Sequence, residues 1–249
     1  MNTPAARHAD LPVQPLQPQG SESIWRRRPE MRPVEPVEAR VQPGERLIMA
    51  HDPCDPRCEK IRALRTELLL RRDSPDHADI VALLSPCAGE GRSLLAAELA
   101  IGFAQTGHPT LLVDADLRRP QQHLLFGASN RYGLAQAIAH GDEPQVQSVH
   151  GLPRMRLLTA GELPGDPLEL LSSRRFAALI DRWRHEYEFV VLDTAPVGRF
   201  SDGLAVARLV GRVLALSRAQ HTPRQDMEDM MRRLSATRSR ILGAVVSHF

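Results

Sequence analysis

The sequence predicts an α/β fold, a mostly parallel sheet with helices on both faces, behind a disordered N-terminal arm. Three observations predict it. From residue 46 onward, short apolar runs alternate with segments of helical periodicity. The first run opens into a glycine-bearing loop followed by a helix. Two later apolar runs each end in aspartate, where a parallel sheet presents its ligand-binding edge.

Residues 1–45 hold 8 of the 20 prolines and few large apolar side chains. Such a segment buries too little to offset the entropy of ordering, so 1–45 is assigned to the arm and 46–249 to one α/β domain. Arg26, Arg27 and Arg28 beside Trp25 could touch an acidic surface, though a solvated tail is the simpler reading. Ile61, Leu64 and Leu68 recur at helical spacing in a helix over 55–71. Asp79–Leu84 is a short apolar run of the kind buried on both faces. A helix follows over 93–105, stopped by Gly107, and then a strand over 110–113. Residues 133–140 read as a short helix and 155–159 as a strand. One helix is expected over 167–185, with Leu168, Leu171, Phe176, Leu179, Ile180 and Trp183 facing the core. Strand 189–192, helix 202–210, strand 213–216, helix 223–236 and strand 241–246 complete the alternation.

Composition narrows the function. Hydrophobic residues make up 42% and charged residues 25%, enough for a buried core. A net charge of +2 is too mild for a dedicated nucleic-acid binder, so no nucleic-acid partner is expected. No apolar run spans a bilayer and no signal peptide is visible, and the cysteines (Cys54, Cys58 and Cys87) form no paired framework, so the expected compartment is the cytoplasm. Lys60 is the single lysine among 32 basic residues. A cationic position in this chain is therefore arginine by default.

The loop Ser85–Ser93 joins the first strand to its helix. Gly89 and Gly91 let backbone N–H groups approach phosphate oxygens, and the helix N-terminus adds its dipole. Residues Gly89, Glu90, Gly91, Arg92 and Ser93 are the candidate phosphate cradle, with the Ser93 hydroxyl placed to ligate Mg²⁺. Against the strict P-loop pattern G-x-x-x-x-G-K-[ST], Pro86 stands for the first glycine and Arg92 for the lysine. A tight turn with no ligand is the plainer alternative. The next strand ends in Asp114-Ala-Asp116, and 189–192 delivers Asp193. Carboxylates so placed can hold Mg²⁺ or accept a proton from an attacking hydroxyl, although Asp114 or Asp116 could also simply cap a turn.

These motifs resemble the bacterial tyrosine kinase family, P-loop proteins that control exopolysaccharide chain length. The resemblance spans residues 46–249 and rests on Gly89-Glu-Gly91, Val113-Asp-Ala-Asp-Leu-Arg-Arg-Pro120, Gly165-Asp-Pro-Leu-Glu-Leu-Leu171, Leu192-Asp-Thr-Ala-Pro196 and Leu242-Gly-Ala-Val-Val246. The arginine in the loop is similar to that of the kinases of exosortase-associated gene clusters. The resemblance implies ATP and Mg²⁺ as cofactors and Ser93, Asp114, Asp116 and Asp193 around the metal. It also implies Asp114 as base or metal-linked carboxylate, with Asp116 and Arg92 in the transfer step. Glu59, Arg62 and Arg65 match an E-x-x-R-x-x-R pattern that mediates self-assembly in the family; by spacing alone they are three charges on one helical face. A membrane-anchored chain-length protein is the implied partner, which would hold the chain at the inner face of the plasma membrane. Tyr132 and Tyr187 are the only tyrosines, so the family's C-terminal tyrosine cluster is missing.

Two other functions compete with the kinase: a nucleotide-binding scaffold of the polysaccharide machine, and a partitioning-type positioning ATPase, whose second loop lysine is absent here. His51, Cys54 and Cys58 are too few for an ordinary zinc site. Cys87 would be reactive only if the helix start lowered its pKa. Met227, Met230 and Met231 fit core packing.

Overall fold

A computed structural model describes residues 40–72, 77–163 and 165–248. Among the described residues eight strands form one sheet in the order β1-β4-β5-β3-β6-β2-β7-β8. They are β1 (Arg40–Val41), β2 (Asp79–Leu84), β3 (Thr110–Ala115), β4 (Gln147–Val149), β5 (Leu152–Leu158), β6 (Phe189–Thr194), β7 (Arg212–Arg218) and β8 (Arg240–Ser247). All neighbours run parallel except β4 and β5, which form an antiparallel hairpin. The central strands β2, β3 and β6 are buried along their whole length, as parallel strands covered on both faces must be.

The helices are α1 (Ile48–His51), α2 (Pro56–Leu70), α3 (Arg92–Gln105), α4 (Gln122–Leu125), α5 (Leu134–His140), α6 (Pro167–Leu171), α7 (Arg174–Glu186), α8 (Asp202–Val210) and α9 (Arg224–Ser235). Successive strand residues point to opposite faces, and the core divides accordingly. Ile80, Ala82, Leu84, Val190 and Leu192 pack with Phe176, Ile180, Trp183, Val206 and Leu234 under α7, α8 and α9. Val81, Leu83, Phe189 and Val191 pack with Met49, Leu68, Leu99 and Phe103 under α1, α2 and α3. The Phe103 and Phe189 rings stack with centroids 3.9 Å apart. Each such buried side chain contributes about 1.5–3 kcal/mol. Met230 lies in the first core and Met227 and Met231 pack against it.

The differences from expectation have local causes. Arg40 and Val41, inside the stretch assigned to the arm, form a strand of the sheet; residues 1–39, with the Trp25–Arg28 cluster, lie outside the described residues. The helix expected over 167–185 is two helices, because Ser173 accepts a bond from the Phe176 N–H and caps α7 afresh. Within it Leu171, Phe176, Ile180 and Trp183 are buried, while Leu168 and Leu179 are half-buried. The hairpin β4–β5 turns at Gly151, whose φ of 74° favours glycine.

The topology sets the site. The chain leaves β2 through α3, passes over β6 and enters β3, so β6 lies between the first two central strands. The carboxyl ends of β2, β6 and β3 thus line up along one edge. In the sheet register Asp193 faces Leu83 on one side and Asp114 on the other.

Candidate nucleotide-binding site

The loop after β2 is held from behind. Glu90 is buried, and its carboxylate accepts the Cys87 N–H at 2.9 Å and the Thr222 hydroxyl. Ser247 Oγ of β8 donates to the Glu90 carbonyl at 3.0 Å, and Arg218 donates to the Gly89 carbonyl at 3.1 Å. From the other side the Val197 and Gly198 N–H groups donate to the Ser85 and Pro86 carbonyls, both at 2.9 Å. A Cβ at Gly198 would sit 2.7 Å from the Pro86 carbonyl oxygen, so only glycine permits that approach. Gly89 and Gly91 have φ of 79° and 88°, the left-handed region that curls the loop. Gly91 starts α3 with no side-chain cap, leaving the helix N-terminus to an external acceptor.

In front of the loop lies a cleft of about 460 Å³ lined by Ala88–Leu94, Asp116, Pro196 and Phe200. Arg46, Arg118, Arg119, Arg199 and Arg218 also line it. Arg118 is steadied by a two-pronged pair with Asp202 at 2.5 and 3.0 Å and lies 4.1 Å over the Phe200 ring. Backbone amides on a curled loop, an uncapped helix start and this arginine rim fit a polyphosphate.

Arg92 does not reach into that cleft as a free cation. Its side chain is 7% exposed. Its Nε donates to Asp193 Oδ1 at 3.1 Å, one terminal nitrogen to Ser85 Oγ at 2.7 Å, and the other to Asp116 Oδ2 at 3.2 Å. The remaining carboxylate oxygens are also engaged. Asp116 Oδ1 accepts the N–H groups of Arg118 and Arg119 at 3.2 and 3.0 Å. Asp193 Oδ2 accepts Gln122 Nε2 at 2.9 Å, and the same amide donates to the Ser93 carbonyl at 2.9 Å. Gln122 Oε1 is buried without a hydrogen-bond partner.

Asp114 was expected as base or metal-linked carboxylate, but it does not line the cleft. It is fully buried, with Oδ1 accepting the Asp116 N–H at 3.2 Å and Oδ2 those of Gln121 and Gln122 at 3.0 and 2.9 Å. It shapes the turn that carries Asp116 and Gln122. Burial and then the neighbouring Asp193 push its carboxyl well above the usual range. Burial also raises Asp116, opposed by the Arg119 amide and Arg92. The Asp114, Asp116 and Asp193 carboxylates expected in the metal shell thus each have partners within the chain. Among the described residues no three His, Cys, Asp or Glu side chains group as a metal site. The divalent cation does not fit these carboxylates in this conformation, because Arg92 already balances Asp116 and Asp193.

The assembly motif is split by its environment. Glu59 is exposed and pairs with Arg62, which also donates to the Pro53 carbonyl. Arg65 instead turns inward and donates to the Gly102 carbonyl of α3 at 2.8 Å. Tyr187 is buried, whereas Tyr132 is 55% exposed. Cys87 has its pKa pushed up to about 11 by burial and by its bond to Asp226, the opposite of activation. His51 lies against the Pro43 and Gly44 carbonyls at 2.9 and 3.1 Å, and Cys58 donates to the Asp52 carbonyl at 3.4 Å.

Sequence reasoning missed Gln122, Thr222 and the Arg118–Asp202 pair. Their partners lie 29 to 132 residues away, and no local spacing marks them.

No protein-family model matches the chain. Tyrosine-protein kinase YwqD of Bacillus subtilis is 30% identical over 203 residues, covering 81% of this chain and 85% of YwqD. Tyrosine-protein kinase etk of Escherichia coli is 32% identical over 202 residues; this chain spans only 28% of that relative's length. Among solved structures, the chimerical protein CapA2B2 superposes with a TM-score of 0.77 at 30% identity over 86% of this chain and 94% of its own. The kinase domain of Escherichia coli ETK gives 0.75 at 29% identity, over 81% and 79%. The septum site-determining protein MinD of Pyrococcus horikoshii, complexed with Mg-ADP, shares the fold alone, with a TM-score of 0.59 at 17% identity over 68% and 70%.

Proposed function

The chain belongs to the bacterial tyrosine-protein kinase family, and on that premise we propose that its cleft binds ATP and passes the γ-phosphoryl group to a tyrosine of another protein. The observation that carries this is the curled loop Gly89–Ser93 opening onto an arginine-lined cleft at the uncapped start of α3.

Phosphoryl transfer asks little covalent chemistry of a protein and much positioning. The N–H groups of residues 89–93 would hold the phosphate chain, with α3 contributing the positive end of its dipole. The arginine rim balances phosphate charge and strengthens as water leaves the cleft. Asp116, the residue after β3, is the carboxylate of the Asp114–Asp116 pair that lines the cleft, so it is assigned to orient the acceptor hydroxyl and take its proton. Asp114 acts through it, by holding the turn. Magnesium, when bound to ATP, supplies charge neutralisation on the phosphates.

The same reading places the chain in exopolysaccharide chain-length control. It would sit at the cytoplasmic face of the plasma membrane through a membrane-anchored chain-length partner and assemble with its own copies through the Glu59 and Arg62 face of α2, Arg65 being turned onto α3. Among the described residues no helix is long and apolar enough to cross a membrane. Incubation with γ-labelled ATP, Mg²⁺ and the partner's cytoplasmic segment is expected to label tyrosine on that segment. No label, together with no nucleotide uptake by calorimetry, would refute the reading. The anchoring of Arg92 favours a second one, a nucleotide-binding scaffold with little transfer; it would be supported if Arg92→Lys labels the partner and the natural chain does not.

A further inference from the structure

The rim of the cleft carries more positive charge than the chain itself neutralises. Of the rim arginines, Arg118 is committed to Asp202, and Arg218 donates to the Gly89 carbonyl. Arg46, Arg119 and Arg199 are exposed, and no carboxylate of a described residue pairs with their side chains. The acids that line the cleft, Glu90 and Asp116, are buried and spent within the chain. Yet the backbone around each of the three cations is pinned. Arg46 lies in a turn closed by the Leu47 N–H on the Gly44 carbonyl at 2.9 Å, and the Gly44 N–H donates to the Leu125 carbonyl of α4 at 2.8 Å. A Cβ at Gly44 would come within 2.9 Å of that oxygen, so the turn is seated tightly. The Arg119 N–H donates to Asp116 Oδ1 at 3.0 Å, which puts Arg119 on the turn of the assigned proton acceptor. The Arg199 N–H donates to the Pro196 carbonyl at 3.3 Å, and its guanidinium carbon lies 5.7 Å from the Phe200 ring centroid. Phosphate has its own donors in the loop amides and the start of α3. The three arginines stand outside that loop, before α1, after β3 and after β6. Pinned cations around one cleft, with no anion of the chain to answer them, raise the local concentration of an anionic ligand.

We propose that Arg46, Arg119 and Arg199 select the acceptor, and that the acceptor is a segment of another protein whose tyrosine is flanked by aspartate or glutamate. The inference rests on the kinase reading and names the substrate class for that same site. An acceptor hydroxyl that reaches Asp116 passes Arg119, which shares its turn. Guanidiniums on separate segments meet separate positions of an extended peptide, so they set its register against Asp116 as well as attract it. The chain's own exposed phenol lacks the signature. Tyr132 follows Arg131, a flank that the rim repels. The rim thus favours transfer to another protein over self-modification.

The test reads a binding preference and needs no transfer. Fluorescein-labelled peptides carry one central tyrosine flanked by glutamate, by glutamine or by lysine. Each is titrated with the full chain in the presence of a non-hydrolysable ATP analogue and followed by anisotropy. The natural chain is expected to bind the glutamate peptide about tenfold more tightly than the glutamine peptide at low salt, and the preference to shrink as salt rises. Arg46→Ala, Arg119→Ala and Arg199→Ala combined should remove the preference. Arg154→Ala, on an exposed position of β5 outside the cleft, should keep it. Arg119→Glu alone should improve binding of the lysine peptide about threefold. A preference that survives the triple substitution, or that Arg154→Ala removes as fully, would overturn the proposal. Calorimetry with the same analogue separates the two levels. A bound analogue without peptide preference overturns this inference alone, whereas no uptake of the analogue overturns the kinase reading and this inference with it.

Discussion

Arg92 and Arg62 come from a chain whose basic residues are almost all arginine, yet the two occupy opposite physical regimes. Arg92 is buried against two carboxylates and a serine, where its charge and theirs cannot be separated cheaply. Arg62 pairs with Glu59 on the outer face of α2, where water screens the pair. The identity of the cation says little in this chain. What surrounds it decides whether it builds the site or decorates a surface.

The contrast can be broken by mutation. Asp193→Ala should have the largest effect, about 3–5 kcal/mol in urea unfolding, because it leaves buried Arg92 without its β6 anchor. If the loss is instead small, the buried cluster is not held by its charges. Next comes pH. Asp114 has its pKa raised in the folded protein, so the folded state binds protons more tightly than the unfolded chain. Stability should therefore fall as pH rises from the ordinary carboxylate range of about 4 toward the raised value. Asp114→Asn should flatten that slope whatever its midpoint, as urea titrations across pH would show. Arg65→Ala should cost about 1 kcal/mol, the scale of one hydrogen bond to the Gly102 carbonyl. Glu59→Ala should leave the unfolding midpoint unchanged while weakening self-association in sedimentation velocity. A stability loss there as large as at Arg65 would erase the distinction between exposed and inward-turned charges on α2.

The legible parts of the molecule were those encoded over short distances. The apolar run Asp79–Leu84 and the helix at 202–210 occupy the residues that their patterns indicate. The aspartates at the ends of β3 and β6 could be placed on one edge because strand direction follows from βαβ alternation. Illegible were features set by long-range pairing or by two or three residues. Arg40–Val41 is too short to show a period, and its strand exists only because β4 offers a partner. The periodicity across 167–185 runs on through Ser172 and Ser173, so it hides a break that one cap creates. The posture of Arg92 depends on partners 24 and 101 residues away. Spacing placed Glu59, Arg62 and Arg65 on one face but could not show that α3 lies close enough to take the third.

Burial of one of the two tyrosines has a practical result. Tyr187 is packed under α7 and its hydroxyl is held in the protonated form, chiefly by burial. In the folded chain the sole accessible phenol is Tyr132, just ahead of α5. A phosphotyrosine antibody applied to the native protein by itself would report on a single loop, and a Tyr132→Phe chain would be blank to it. Such a chain makes a background-free donor, in which every phosphotyrosine seen in a mixture belongs to another protein.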